Sequence, residues 1–300
     1  MQHIRQTIRG HLLVLAAVLA LLLGAITAAP ASAQGSSIPT LVAIRAAHHA
    51  GFDRVVFDFS GPLPQRRDVQ YVPQLIADGS GKPVQIAGNA ILKTVFEPAQ
   101  AHTDQGEVTV PNRITFALPN VMQVVRSGDF EAVLSHGIGL ARRTNFRVFT
   151  LTNPSRVVID IDTPFRTVLV RDYFVDEPNF ISGRQPYVKP VLRPVIPPAT
   201  SKGALERLFA GPTPSEIADG LRFVSSEATG FTNLSIRDGV ARVQLTGGCN
   251  SRGSTLTIAS EIFPTLKQFS SVRYVKIYDP SGNTEEPKGR SDSIPECLEP

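Results

Sequence analysis

The side chains of this chain that could carry out chemistry are few and lie far apart. His48 and His49 are adjacent, and neighbours on a strand point to opposite faces, so the two do not easily share a metal ion. Ser135 precedes His136, but the sequence contains neither a Gly-x-Ser-x-Gly elbow nor a His-Glu-x-x-His zinc motif. His102 is isolated. We therefore expect no catalytic residue, no metal site, no cofactor and no enzyme activity.

Two acidic segments are the next candidates. Asp160 and Asp162 alternate on one face of a predicted strand, and paired carboxylates can act as acid and base. Two acids on a solvated strand face are more simply explained as surface charge. Residues 279–283, Asp-Pro-Ser-Gly-Asn, lack the glycine and glutamate that a calcium-binding loop requires at later positions. Neither segment predicts a reaction.

A glycine-rich segment, residues 248–255, lies between a predicted strand and a predicted helix, where a phosphate-binding loop would be found. Such a loop has a lysine where this chain has Ser254, because the ammonium group reaches the terminal phosphates. We therefore expect no nucleotide binding. The free N–H groups of a helix start leave the binding of some other anion open.

The N-terminus has the three regions of a secretory signal peptide. Arg5 and Arg9 supply positive charge, residues 12–26 form an apolar run, and Ala31-Ser32-Ala33 supplies a cleavage site. The apolar run is shorter than the roughly 20 residues of a transmembrane helix. We predict that residues 1–33 are removed and that the protein is exported to the extracellular space, the cell wall or an equivalent of the periplasm. If they are retained, they would anchor the protein in the membrane.

The composition is that of a globular protein, with 42% hydrophobic and 19% charged residues. The net charge is +4 and no dense run of lysine and arginine occurs, so we expect no nucleic-acid partner. In an exported protein, Cys249 and Cys297 are expected to form a disulfide. Such a link would contribute about 4 kcal/mol by restricting the unfolded chain. Two free thiols are the alternative.

The hydrophobic pattern divides the rest of the chain into two domains. Up to about residue 165 it is typical of short strands separated by turns, as in residues 54–59, where alternate residues are apolar. Many such strands predict a β-sandwich. Prolines crowd residues 170–200, which we interpret as a stiff interdomain linker.

After this segment the sequence alternates helices and strands. Thr213-Pro-Ser-Glu216 is typical of a capped helix start, and Asp238-Gly239 is typical of a tight hairpin turn. Four apolar residues between 258 and 269 recur at helical spacing. The pattern predicts a small α+β domain over residues 203–280, followed by a tail, residues 281–300, which the disulfide would tether.

The first half resembles AMIN-like domains over about residues 40–162. Arg-Val-Val-Phe-Asp-Phe at 54–59, and Asn-Pro-Ser-Arg at 153–156 before a strand that ends in Asp160, are similar to the opening and closing strands of that family. The resemblance implies an all-β sandwich, which we assign to residues 40–165. It also implies a non-catalytic module of exported envelope proteins that directs partner domains to peptidoglycan or envelope machinery. No binding residue is transferred by it.

The second half resembles a GerMN domain over about residues 203–280. The matching parts are Leu208 to Pro214 with Glu216, the hairpin at 236–245 and the segment 269–273. The resemblance implies a domain of sporulation and germination proteins and of other envelope proteins, for which no catalytic residues are established. The lipid-anchor cysteine that many such proteins carry is absent.

These observations predict an exported bacterial protein with an N-terminal β-sandwich and a small C-terminal α+β domain. The favoured function is non-catalytic. The β domain would bind peptidoglycan or an envelope partner, and the second domain would support assembly. An envelope enzyme acting on cell-wall polymers and a purely structural assembly protein are the alternatives. The sequence identifies no ligand-binding residue.

Overall fold

The computed structural model describes residues 38–300, so the predicted signal peptide, residues 1–33, lies outside the described residues. None of the helices within residues 38–300 combines the length and apolar character needed to cross a membrane. The described part of the chain contains fifteen strands and four α-helices. The strands are β1 (Thr40–His49), β2 (Phe52–Ser60), β3 (Arg66–Val72), β4 (Ala90–Glu97), β5 (Arg113–Thr115), β6 (Val121–Phe130), β7 (Val133–Leu140), β8 (Phe146–Leu151), β9 (Ser155–Asp162), β10 (Val168–Asp176), β11 (Val188–Val195), β12 (Leu221–Arg222), β13 (Ala228–Arg237), β14 (Val240–Gly247) and β15 (Tyr274–Tyr278). The helices are α1 (Glu177–Ile181), α2 (Thr200–Ala210), α3 (Pro214–Ala218) and α4 (Ile258–Lys267).

The first domain consists of two antiparallel sheets, and this confirms the predicted β architecture. One sheet has the strand order β1-β2-β9-β8 and the other has the order β3-β4-β7-β6-β5. Alternate apolar residues of both sheets meet in a single core. Phe57 and Phe59 of β2 pack edge-on against Phe96 of β4, with ring centroids 5.0 and 5.6 Å apart. The alternating pattern of residues 54–59 therefore reflects burial of one strand face.

The outer face of the five-stranded sheet is covered by a long connection, residues 73–89, which we call the strap. Its Asp78 and Asn89 donate backbone hydrogen bonds to the carbonyls of Ser127 and Leu140. The strap lies directly on β7 because that strand has glycines there: a Cβ on Gly139 would lie 2.0 Å from the carbonyl oxygen of Ala87. The strap thus gives the first domain a third layer on one side.

The segment predicted as a linker, residues 170–200, is part of a sheet instead. β10 and β11 pair antiparallel over eight residue pairs, and β10 also pairs with β12. The sheet order is β11-β10-β12, so β11 is an edge strand. An edge strand tolerates proline because one of its sides needs no N–H donor, and Pro190 and Pro194 lie four residues apart in β11.

The second domain packs α2 and α4 against the sheet β13-β14-β15. Asp238 and Gly239 join β13 to β14, and both have positive φ, as the tight turn requires. Thr213 and Glu216 form the predicted capping box at the start of α3. β15 runs parallel to β14 after the crossover through α4. The predicted order of helices and strands is thus present. The strands β10 and β11 precede it, and β12 lies between α3 and β13.

The two domains are in contact through the C-terminal half of α2. The carbonyl oxygen of Ala210 accepts hydrogen bonds from Thr115 Oγ1 and Gln123 Nε2, both at 2.6 Å. Arg207 is 2% exposed, and its Nη2 donates to the carbonyls of Leu118 and Pro119 at 2.6 and 3.0 Å. The side chain of Arg207, from α2, therefore supplies hydrogen-bond donors to two backbone carbonyls in a loop of the first domain.

The C-terminal tail is fixed to the second domain. Cys249 and Cys297 form a disulfide with a Cα–Cα distance of 5.7 Å. Beside it, the backbone N–H of Ser251 donates to the carbonyl of Cys297 at 2.7 Å, and Leu298 is buried in the domain core. The link closes a loop that contains α4 and β15, which hold the core of this domain.

Candidate functional site

The outer face of the sheet β1-β2-β9-β8 carries a cluster of arginine, phenylalanine and aspartate side chains. Alternate residues of a strand point to the same face, and the register sets Arg54, Asp160 and Arg147 side by side across β2, β9 and β8. We call this surface the arginine face; its residues are Arg45, Phe52, Arg54, Asp58, Arg147, Phe149, Arg156, Asp160 and Asp162. It opposes the face that carries the domain core.

Asp160 organises the centre of the arginine face. Arg54 donates from Nε to Oδ1 at 2.6 Å and from Nη2 to Oδ2 at 2.9 Å. Arg147 donates from Nη2 to Oδ2 at 2.7 Å. One row away, Arg45 makes a two-pronged pair with Asp58, at 2.7 and 2.8 Å. Such paired geometry fixes the planes of the guanidinium groups.

Aromatic rings alternate with these guanidinium groups. The guanidinium carbons of Arg54 and Arg147 lie 5.3 and 5.2 Å from the ring centroid of Phe149. Arg54 also lies 5.2 Å from the ring centroid of Phe52, on which the His49 ring stacks at 5.0 Å. Contacts at this distance are cation–π interactions and hold the rings and charges in one layer.

The charges of the cluster are stable. Hydrogen bonds from Arg54, and then from Arg147, hold the pKa of Asp160 below its usual value although partial burial opposes the shift. The hydrogen bond to Asp160 in turn raises the pKa of Arg54. The carboxylate of Asp160 and the guanidinium of Arg54 are therefore ionised at neutral pH.

The arginine face has donors left for a ligand. The Arg147 side chain is 71% exposed and uses only Nη2 toward Asp160, so its other N–H groups face solvent. Arg156 donates to the carbonyl of Pro154 and has no carboxylate partner among residues 38–300. Guanidinium groups bind carboxylates, and flat aromatic faces suit the apolar faces of sugar rings. The arrangement can thus bind an anionic glycan or peptide.

The histidines that the sequence singled out do not come together. His48 Nδ1 lies 2.8 Å from Asp53, and His102 Nδ1 lies 3.0 Å from Asp129. His136 is fully buried beside Phe57, and burial lowers its pKa to about 3. Residues 38–300 contain no group of three or more histidine, cysteine or acidic residues that could hold a metal ion.

The other candidate segments have structural roles. Asp160 pairs with two arginines rather than with Asp162. The N–H of Ile258, at the start of α4, donates to Ser226 Oγ at 3.1 Å. It is therefore not free to bind an anion at the helix that follows residues 248–255. Asn283 N donates to Asp279 Oδ1 at 2.7 Å within a turn, and backbone hydrogen bonds, first from Asn283, lower the pKa of Asp279.

The arginine face could not be identified from the sequence alone. Arg54 and Arg147 are separated by more than ninety positions, and only the pairing of β2 and β8 with β9 brings them to one carboxylate. The available signal was an arginine at an outward position of each flanking strand. The five tyrosines, whose rings could also stack on sugars, are all partly buried, and the ring of Tyr71 lies 4.2 Å from the guanidinium carbon of Arg143.

Comparison with known proteins agrees with the division of the chain. Residues 39–163 match the AMIN-like domain, and residues 172–278 match the family described as Sporulation and spore germination. The second match includes the second half of β10 and all of β11, so this domain begins about thirty residues earlier than the sequence pattern predicted.

Among solved structures, the tandem GerMN domains of the sporulation protein GerM from Bacillus subtilis are similar at 26% identity. The similarity covers 42% of this chain and 44% of that one, with a TM-score of 0.28. A search of curated proteins finds no match. The arginine face lies wholly in the first matched region and α2 to β15 lie in the second, so the chain joins an AMIN-like domain to a domain of the Sporulation and spore germination family.

Proposed function

We propose that this protein is a non-catalytic component of the bacterial cell envelope that binds peptidoglycan through the arginine face of its AMIN-like domain. The observation that supports this most directly is the cluster of Arg54, Asp160, Arg147 and Phe149 on an open sheet face. Peptidoglycan combines sugar rings with peptides that carry free carboxylates. Aromatic rings next to unsatisfied guanidinium donors complement both parts of such a polymer.

The second domain supports assembly in this proposal. It is docked on the AMIN-like domain through Arg207 and Ala210, so a partner bound to it would be carried to the cell wall with the first domain. The proposal includes export through the N-terminal signal segment, residues 1–33.

The proposal does not include hydrolysis of peptidoglycan. Incubation of the purified protein with sacculi should therefore leave the profile of released muropeptides unchanged.

The test is cosedimentation of the purified exported protein with isolated sacculi. Arg147→Ala should weaken binding about five- to thirtyfold, because a charge-assisted hydrogen bond contributes roughly 1–2 kcal/mol. Phe149→Ala should weaken it to a similar degree through lost stacking. Arg166→Ala is the matched control, since Arg166 is an exposed arginine outside the arginine face. If wild type does not sediment, or Arg147→Ala and Arg166→Ala sediment equally with wild type, the proposed binding face is wrong.

A further inference from the structure

A cleft runs between the two domains. It consists of two adjoining hollows of about 490 and 500 Å³, which share Ile86, Ala87, Phe209 and Thr229 in their walls. The strap forms one wall and the first half of β13 forms the other, while α2 contributes Phe209 between them. Clefts of this size between domains are frequent ligand sites.

One wall of the cleft is an unpaired strand edge. β13 pairs with β14 and is the outer strand of its sheet. No backbone hydrogen bond connects the other edge of residues 229–234 to any residue between 38 and 300. These residues line the second hollow. Register shifts at 228/230 and 232/235 leave Gly230 to Thr232 as its regular stretch of free strand edge, roughly 10 Å long at about 3.3 Å per residue. An added strand would satisfy these groups.

The first hollow is lined mainly by apolar side chains. Phe209, Phe223 and Ile86 contribute to it, together with Pro212 and Ile217. Ile217 is 46% exposed and so presents apolar surface to this hollow. An apolar side chain of a ligand would be desolvated here without displacing any residue of the protein.

The lining of this hollow includes a cation, Arg113, that has no acidic partner among residues 38–300. Arg113 donates from Nη1 to Gln123 Oε1 at 2.7 Å and from Nη2 to the carbonyl of Gln85 at 2.5 Å. No carboxylate within residues 38–300 forms an ion pair with it. Both acceptors are neutral, so the guanidinium keeps its charge uncompensated and retains N–H groups for an anion.

We propose that the cleft binds the C-terminal segment of a partner protein as an added β-strand. The segment would pair with the free edge of β13, place an apolar side chain beside Phe209 and Ile217, and set its terminal carboxylate at Arg113. A chain end fits this position because its terminal carboxylate would supply the anionic partner that Arg113 lacks among residues 38–300. This surface is separate from the arginine face, so the proposal stands independently of wall binding.

The experiment begins with random heptapeptides displayed with free C-termini and selected on the purified exported protein. The most enriched sequence is then synthesised with a fluorophore at its N-terminus, both as the free acid and as the C-terminal amide. Fluorescence anisotropy measures the Kd of each. We expect the amide to bind at least about tenfold more weakly, since it cannot accept a charged hydrogen bond from Arg113.

Two variants locate the bound peptide. Arg113→Gln and Ile217→Asp should each weaken the free acid at least about tenfold, whereas Arg113→Lys should retain part of the affinity because it keeps the charge. Arg166→Gln is the control and should bind like wild type. Because Ile217 is exposed, Ile217→Asp tests the cleft without a threat to folding. In wild type, the bound peptide should slow amide hydrogen exchange in residues 229–234.

Three outcomes would overturn the proposal. The first is no enrichment of any sequence over selection on Ile217→Asp. The second is equal affinity of the acid and the amide, which rejects recognition of a C-terminus even if acidic side chains bind. The third is binding that is unchanged in both Arg113→Gln and Ile217→Asp, or that leaves exchange at β13 unaltered, which places the peptide elsewhere.

Discussion

Glu261 is a fully buried acid that connects three parts of the second domain. From α4, its Oε1 accepts backbone hydrogen bonds from Val175 of β10 and from Val224, both at 3.2 Å, while Oε2 has no partner. Burial raises its pKa well above the usual value, against the two backbone hydrogen bonds, and the charge of Asp172 adds to the rise. The folded protein thus holds Glu261 as a neutral acid over a pH range where the unfolded chain ionises it.

This raised pKa gives a testable pH dependence. Between the unfolded and folded pKa values the native state binds more protons, so the free energy of unfolding falls as pH rises, by up to about 1.4 kcal/mol per pH unit for one group. Glu261→Gln keeps the acceptor oxygen and removes the titration. We expect the variant to match wild type near pH 4 and to exceed it in stability at pH 8, in urea titrations.

Glu107→Gln, at an exposed position, is the control and should follow wild type at every pH. Asp172 has its own raised pKa, caused mainly by burial, so some slope should persist in Glu261→Gln. A Glu261→Gln protein less stable than wild type at pH 8 would show that the ionised carboxylate is needed.

At the scale of elements, the strap depends on glycine at one point of β7. The φ of Gly139 is not in the left-handed region, so an alanine is acceptable to the backbone itself. Its Cβ would nevertheless lie 2.0 Å from the carbonyl oxygen of Ala87, and a backbone atom cannot move aside as a flexible side chain can. The strap must shift to accommodate it.

We therefore expect Gly139→Ala to lower the free energy of unfolding by about 1–3 kcal/mol, as for other overpacked sites. The displaced strap should also exchange its backbone amides faster, and hydrogen exchange at Asp78 and Asn89 reports this directly. Gly79→Ala, in the strap itself but with no atom within 4 Å of the added Cβ, should be neutral. Equal stability of the two variants would mean that the strap does not press on β7.

Elements specified by neighbouring residues were predictable, and those that depend on distant pairing were not. The Asp238-Gly239 turn and the Thr213 capping box are local, because φ and the cap are fixed within four residues. The prolines of residues 170–200 predict a linker when their positions relative to a partner strand are unknown. β11 accommodates them as an edge strand, and only the pairing with β10 reveals this.

The same distinction explains what could be predicted of the candidate sites. Asp160 was noticed as half of a possible acid pair, but its partners Arg54 and Arg147 follow from the register of three strands. The interdomain cleft is even harder to predict from the sequence, because its walls come from three distant segments: the strap, α2 and β13. No residue spacing within one segment indicates that these meet.

For the whole molecule, Arg207 couples the two domains. It is buried, donates to carbonyls of Leu118 and Pro119, and keeps its charge at neutral pH although burial lowers its pKa to about 10. Asp172 is the first of the nearby charges that oppose this shift, and its carboxyl oxygens have no hydrogen-bond partner among residues 38–300. The Arg207 side chain therefore donates hydrogen bonds to two carbonyls of the first domain. It also places a positive charge near the buried Asp172 of the second domain.

Removal of the Arg207 guanidinium should weaken the contact between the two domains. Arg207→Met retains most of the apolar stem but leaves the carbonyls of Leu118 and Pro119 without a donor, which costs roughly 3 kcal/mol. It also removes one of the two positive charges near Asp172, the other being Arg193. We expect wild type to unfold in one cooperative transition and Arg207→Met to unfold in two, as followed by circular dichroism and by limited proteolysis between β9 and β10. Lys202→Met, which removes the exposed contact to Asn89, should retain the single transition. A single transition in Arg207→Met with a loss below about 1 kcal/mol would mean that the contacts of Ala210 with Thr115 and Gln123 are sufficient to couple the domains.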